Sequence, residues 1–151
     1  MTYLEIKTGM TVYMQDENDG EAMLEGKVVG LENGTVAYKD KDGREKTVEG
    51  IVERRYLDSF VLRDKNGTRT VDARWPKSCN GKARVELDDG NIVDMDPEMI
   101  FAVGSVVYMP GDFGPEGCRV LSVDGGGIWL DTDRGEYVAG IDEIYTREAD
   151  V

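Results

Sequence analysis

Apolar and polar positions alternate over short runs along the whole chain. "TVYM", "GKVVGL", "TVAYKD", "EKTVEGIV", "SFVLRD", "TRTVDARW", "ARVELDD", "NIVDMD", "SVVYMP", "CRVLSVD", "GIWLDTD" and "EYVAGI" are rich in Val, Ile and aromatics. A period of two over a few residues is the mark of a half-buried strand. Between the runs stand "DGR", "KNG", "DDGN", "GGG" and "DRGE", the residues that tight hairpins with positive φ require. No eleven-residue stretch keeps a helical apolar pattern free of Gly or Pro. Two spots predict a single helical turn: "DPEMI", with Asp96 as N-cap and Pro97 at the first position, and "GIDEI". The pattern predicts an all-β protein.

One phrase occurs twice, "GMTVYM" at Gly9–Met14 and "GSVVYM" at Gly104–Met109. The similarity extends further. Laying 26–43 over 118–135 sets Val28 on Val120, Leu31 on Val123, Gly34 on Gly126 and Val36 on Ile128. In the middle, "ARVELDDGNIVDMDPEMI" repeats the strand, turn, strand and acidic end of "IWLDTDRGEYVAGIDEI" with a tighter hairpin. This predicts two to three tandem units, at 1–57, 58–101 and 102–151. Units this small bury too little surface to stand alone without staples. The joins should therefore pack, through Tyr56, Leu57, Phe60, Ile100, Phe101 and Val103, into one rigid stack.

A Gly-x-x-Val-Tyr opening strand, a polar loop, a strand pair and a one-turn end resemble the Src-homology-3-like small barrels. The Tudor and KOW types come nearest, and "VELDDGNIV" at Val85–Val93 looks like a Tudor hairpin. The resemblance implies binding of peptides, modified side chains, nucleic acid or other subunits, with little catalysis. Its aromatic cage would fall on Tyr13, Tyr38, Tyr108 and Trp129.

Composition narrows the chemistry. The chain has no histidine, the side chain best suited to proton transfer near neutral pH and the commonest transition-metal ligand. Ser59, Ser78, Ser105 and Ser122 thus lack an activating imidazole, and no cofactor or metal is expected. The acidic loop "QDENDGEAMLEG" has part of a calcium-loop spacing but begins with Gln15 and ends on Gly26, where carboxylates belong; it reads as a solvated hairpin. None of the Gly-rich stretches matches a phosphate loop. Carboxylate pairs suited to glycoside chemistry are many, and none stands out. Cys79 and Cys118 are far apart and expected to be reduced. No apolar run suits a membrane span, and "MTYLEIKTGM" lacks the features of a signal peptide, so no membrane partner and a cytoplasmic location are expected.

Net charge is −13, distributed as −4, −2 and −7 over the three expected units. Long-range repulsion of polyanions follows, and a protein partner with a basic surface fits better. Candidate contact residues cluster in the last unit: Asp112, Phe113 and Glu116 on the constrained loop "MPGDFGPEGC", and Trp129, Asp131, Asp133, Glu136 and Tyr137 beyond it. With Val36 and Ile128 inward, alternation turns Trp129 outward, where the first unit has Ala37. Packing of Trp129 between units, and folding of Phe113 over the barrel's open end as a plug, are the competing readings. One stretch opposes the global charge: Arg69, Arg74, Trp75, Lys77, Lys82 and Arg84 flank an aromatic with cations, as single-stranded nucleic acid or a nucleotide requires. Against it stands a core Trp75 with paired cations.

The expected function is non-enzymatic binding of a macromolecule through loops and an acidic face. A phage or mobile-element accessory that inhibits a host nucleic-acid-binding protein by charge mimicry would suit that chemistry. A nucleic-acid or anion-binding module using 69–84, and a viral structural or assembly protein, are the alternatives.

Overall fold

The computed structural model describes the chain apart from residues 2–4, 75, 77 and 80 and the side chains of 78, 79 and 149. The described residues form thirteen strands and three one-turn 3-10 helices, an all-β protein. No helix among them is long and apolar enough to cross a membrane. In chain order the strands are β1 (Thr11–Gln15), β2 (Met23–Glu32), β3 (Gly34–Lys39), β4 (Glu45–Arg55), β5 (Phe60–Asp64), β6 (Gly67–Val71) and β7 (Ser78–Cys79). They continue with β8 (Lys82–Leu87), β9 (Ile92–Met95), β10 (Val106–Gly111), β11 (Gly114–Asp124), β12 (Gly127–Thr132) and β13 (Gly135–Ala139).

Three antiparallel sheets result, ordered β1-β2-β8-β9, β6-β5-β4-β3-β7 and β10-β11-β12-β13. The pairing redraws the expected units. Residue 57 falls between β4 and β5, which are partners in one sheet, so no unit ends there. The first sheet instead joins β2 to β8 across the whole middle sheet. Only the last sheet lies wholly inside one expected unit, 102–151.

The three sheets share one register. A bulge interrupts the long second strand between Val28 and Gly30 in the first sheet, between Val52 and Arg54 in the middle one and between Val120 and Ser122 in the last. The pair just before the bulge is Val28–Val85, Val52–Leu62 and Val120–Leu130, and all six side chains are buried. A bulge bends the strand and increases its twist, which folds each sheet over its own core. The free edge of each opening strand is then met by a later segment: Phe101 bridges Tyr13, Tyr145 bridges Tyr108, and β7 pairs with β3.

The duplicated phrase is explained by this geometry. Gly9 and Gly104 have φ of 91° and 92°, a region that glycine enters without steric cost. Gly9 N donates to Val28 O at 2.7 Å, and Gly104 N to Val120 O at 2.8 Å. Each phrase thus clasps its opening strand to the residue before the bulge. The matched overlay holds for 26–32 on 118–124 and ends there. Val36 is buried like Ile128, but on the opening strand of the middle sheet; the true counterpart of Ile128 is Ala83.

Each sheet has its own core. Val12, Met14, Val28, Val85 and Ile100 belong to the first; Val36, Tyr38, Val52, Phe60 and Leu62 to the middle; Val107, Val120, Ile128, Leu130 and Ile141 to the last. Tyr13 and Phe101, chain neighbours of the first core, insert into the last, with ring centroids 5.7 Å apart. Burying one such side chain contributes about 1.5–3 kcal/mol. Here the two sheets gain a shared interior. The other expected join residues do not pack this way: Leu57 is 85% and Val103 54% exposed, and Phe60 lies in the middle core itself. The two one-turn helices form as the sequence indicates, at Pro97–Met99 and Ile141–Glu143, and Asp96 Oδ1 accepts from Glu98 N at 3.0 Å.

Candidate binding groove of the last sheet

The β10–β11 hairpin pairs Pro110 with Pro115 and Gly111 with Gly114, leaving Asp112 and Phe113 as its turn. A Cβ on Gly111 would lie 2.8 Å from Gly114 O, and Gly114 has φ of 118°, so both glycines are needed for the tight crossing. Prolines beside them limit the backbone further. At the tip Phe113 is fully exposed.

The hairpin is tied to the β12–β13 turn. Asp112 pairs with Arg134, and Glu116 Oε1 accepts from Asp133 N at 3.1 Å. That turn is itself closed by Thr132 Oγ1 donating to Gly135 O at 2.6 Å. Between the two lies a groove of about 690 Å³. Asp112, Phe113, Glu116, Asp133, Glu136 and Tyr137 line it, with Met109, Pro110, Pro115 and Arg134. The lining thus brings four carboxylates and one guanidinium together with Met109, two prolines and the exposed Phe113 ring. Tyr137 OH donates to Glu143 Oε2 at 2.7 Å. This bond holds the Glu143 carboxyl below its ordinary range, helped by Gly140 N, and raises the Tyr137 phenol.

Trp129 and Asp131 stand apart from the groove. Trp129 faces outward as alternation requires, 37% exposed, opposite Ser122 and Val138, and its Nε1 donates to Asp124 Oδ2 at 3.3 Å. Asp131 lies opposite Arg119 and Glu136. Sequence reasoning missed Arg134; its Asp-Arg-Gly turn was legible, but its ion pair to a loop twenty-two residues away was not.

The cationic stretch is divided between sheets. Arg69 on β6 pairs with Asp64 at 3.2 Å and Arg74 with Asp58 at 3.8 Å. Arg84 on β8 holds Glu32, and Asp94 at 3.3 Å, while Lys82 begins the same strand, half-buried. Trp75 and Lys77 lie outside the described residues. The aromatic cage is not assembled: Tyr38 packs edge-on against Phe60 in the middle core, Tyr13 is in the last core, and Trp129 is on an outer face. The 16–22 loop is a hairpin in which Asp16 and Asp19 accept backbone N–H groups at 3.0 and 3.1 Å. Cys118 is free and buried, and desolvation raises its thiol pKa.

No protein-family model matches the chain. No curated protein is significantly similar to it.

Proposed function

We propose that the protein is a non-enzymatic binding protein, built of small Src-homology-3-like barrels, whose last unit engages the basic surface of a protein partner. One observation carries this reading: Phe113 stands fully exposed on a hairpin braced by its neighbour turn, above a groove rimmed by four carboxylates. An aromatic held on a braced turn loses little further freedom on binding, and rigid aromatic anchors are what interfaces bury. Carboxylates around it favour Lys- and Arg-rich surfaces and speed their approach. A nucleic-acid-binding cleft is one such surface, and inhibition of a host protein by charge mimicry is the specific form of the proposal.

The test is capture from bacterial lysate at low and moderate salt, with wild type beside Phe113→Ala. The reading expects a nucleic-acid-binding protein that DNA displaces and that Phe113→Ala fails to hold. Equal capture by the variant, or none by either, overturns it. Direct binding of single strands to the purified chain would favour the cationic 69–84 stretch instead.

A further inference from the structure

The first and last sheets are equivalent strand for strand, yet one is continuous in sequence and the other is not. In the last sheet Asp124 pairs with Gly127 across the two-residue turn Gly125-Gly126. The equivalent pair in the first sheet is Glu32 and Lys82. Where the last sheet has two glycines, the first has residues 33–81.

Those residues hold a complete third copy. β3, β4, β5 and β6 match β10, β11, β12 and β13 through the shared bulge register, β7 covers the free edge of β3, and the core is the copy's own. The chain leaves the first sheet at Glu32 and returns directly opposite, at Lys82, so nothing in the host must open to accommodate the copy. Charge follows the same boundary. Residues 34–79 hold eleven basic and eight acidic side chains, a net +3, while the remainder holds seven and twenty-three, a net −16. Cutting the chain into consecutive thirds hides this contrast. Equivalent hairpin positions are reversed in sign: Arg63 and Lys65 on β5 and its turn stand where the last sheet has Asp131 and Asp133. Arg55 Nη1 reaches Glu98 Oε1 at 2.8 Å, an ion pair from the copy to its host.

We infer that residues 34–79 are a self-contained module spliced into the turn of the first unit, that the host closes without it, and that recognition of a basic partner belongs to the acidic host alone. The last clause rests on the function proposed above.

Two measurements test the module itself. On the intact chain, native-state hydrogen exchange should show β1, β2, β8 and β9 opening as one block despite their separation in sequence, and β3 to β6 as another. A single opening shared by all strands overturns the inference. Replacing 33–81 with Gly-Gly should leave a host that unfolds cooperatively on heating and elutes later from an anion exchanger. Loss of a cooperative transition overturns it as well. For the partner, the excised host should capture the same protein as the full chain, and Phe113→Ala in that host should abolish capture. Capture by the full chain alone overturns the last clause. If neither form captures a partner, the functional reading fails with that clause, while exchange and melting still decide the module.

Discussion

Tyr137 and Glu143 are joined by a phenol-to-carboxylate hydrogen bond of 2.7 Å that ties β13 to the one-turn helix after it. The bond favours ionised Glu143 and neutral Tyr137, and so acts in opposite directions on their titrations. Glu143 is lowered, so its contribution to stability is present above the ordinary carboxylate range and is lost as pH falls through its folded pKa. Tyr137 is raised, so its share is complete below the ordinary phenol range and is lost as pH rises through its folded pKa. Tyr137→Phe should move Glu143 back toward an ordinary carboxylate in an NMR pH titration. An unchanged Glu143 titration would mean that the bond does not form in solution.

Phe113→Ala should leave stability within about 0.5 kcal/mol of wild type, because the side chain touches solvent rather than core. Urea unfolding measures this. A larger loss would show that Phe113 packs over the molecule, and it would no longer serve as an anchor.

Neighbours on β12 should separate sharply. Leu130 is completely buried and Trp129 only partly. Leu130→Ala is expected to cost about 2–5 kcal/mol, and Trp129→Ala about 1 kcal/mol. Comparable losses in denaturant midpoints would place Trp129 among the packing residues.

Gly26, Gly50 and Cys118 occupy one position in the shared register. A Cβ on Gly26 would lie 2.5 Å from Val85 Cγ1 and 2.8 Å from Glu86 O, and one on Gly50 2.6 Å from Arg63 O. Backbone cannot yield as a side chain does, so Gly26→Ala and Gly50→Ala should each cost about 1–3 kcal/mol. Gly30, with nothing within 4 Å, is the control; Gly30→Ala should change stability by less than about 0.5 kcal/mol. Equal effects at Gly26 and Gly30 would contradict the close approach of β2 and β8.

Local patterning determined much of this protein. Alternation and turn residues are properties of a few neighbouring positions, so the strands, the hairpins and the Asp96-capped turn could all be read from the chain. The repeated phrase was legible because each Gly9 and Gly104 clasp is formed within one unit. Phe113 was legible as a loop-tip aromatic among glycines and prolines, but that it is exposed rather than a plug over the barrel end came from the structure. Only tertiary pairing decided which strand follows which in a sheet. Glu32 meets Lys82 through hydrogen bonds between distant backbones, and backbone groups carry no residue-specific label. An overlay that follows sequence order therefore slides onto β3, whose Val and Gly spacing imitates β12, and misses β8. The same limit explains the site. Asp112 and Glu116 were visible as acidic residues of a loop, but their union with Arg134 and Asp133 depends on the pairing of β11 with β12, Arg119 opposite Asp131, which sets the two turns side by side at one end of the sheet.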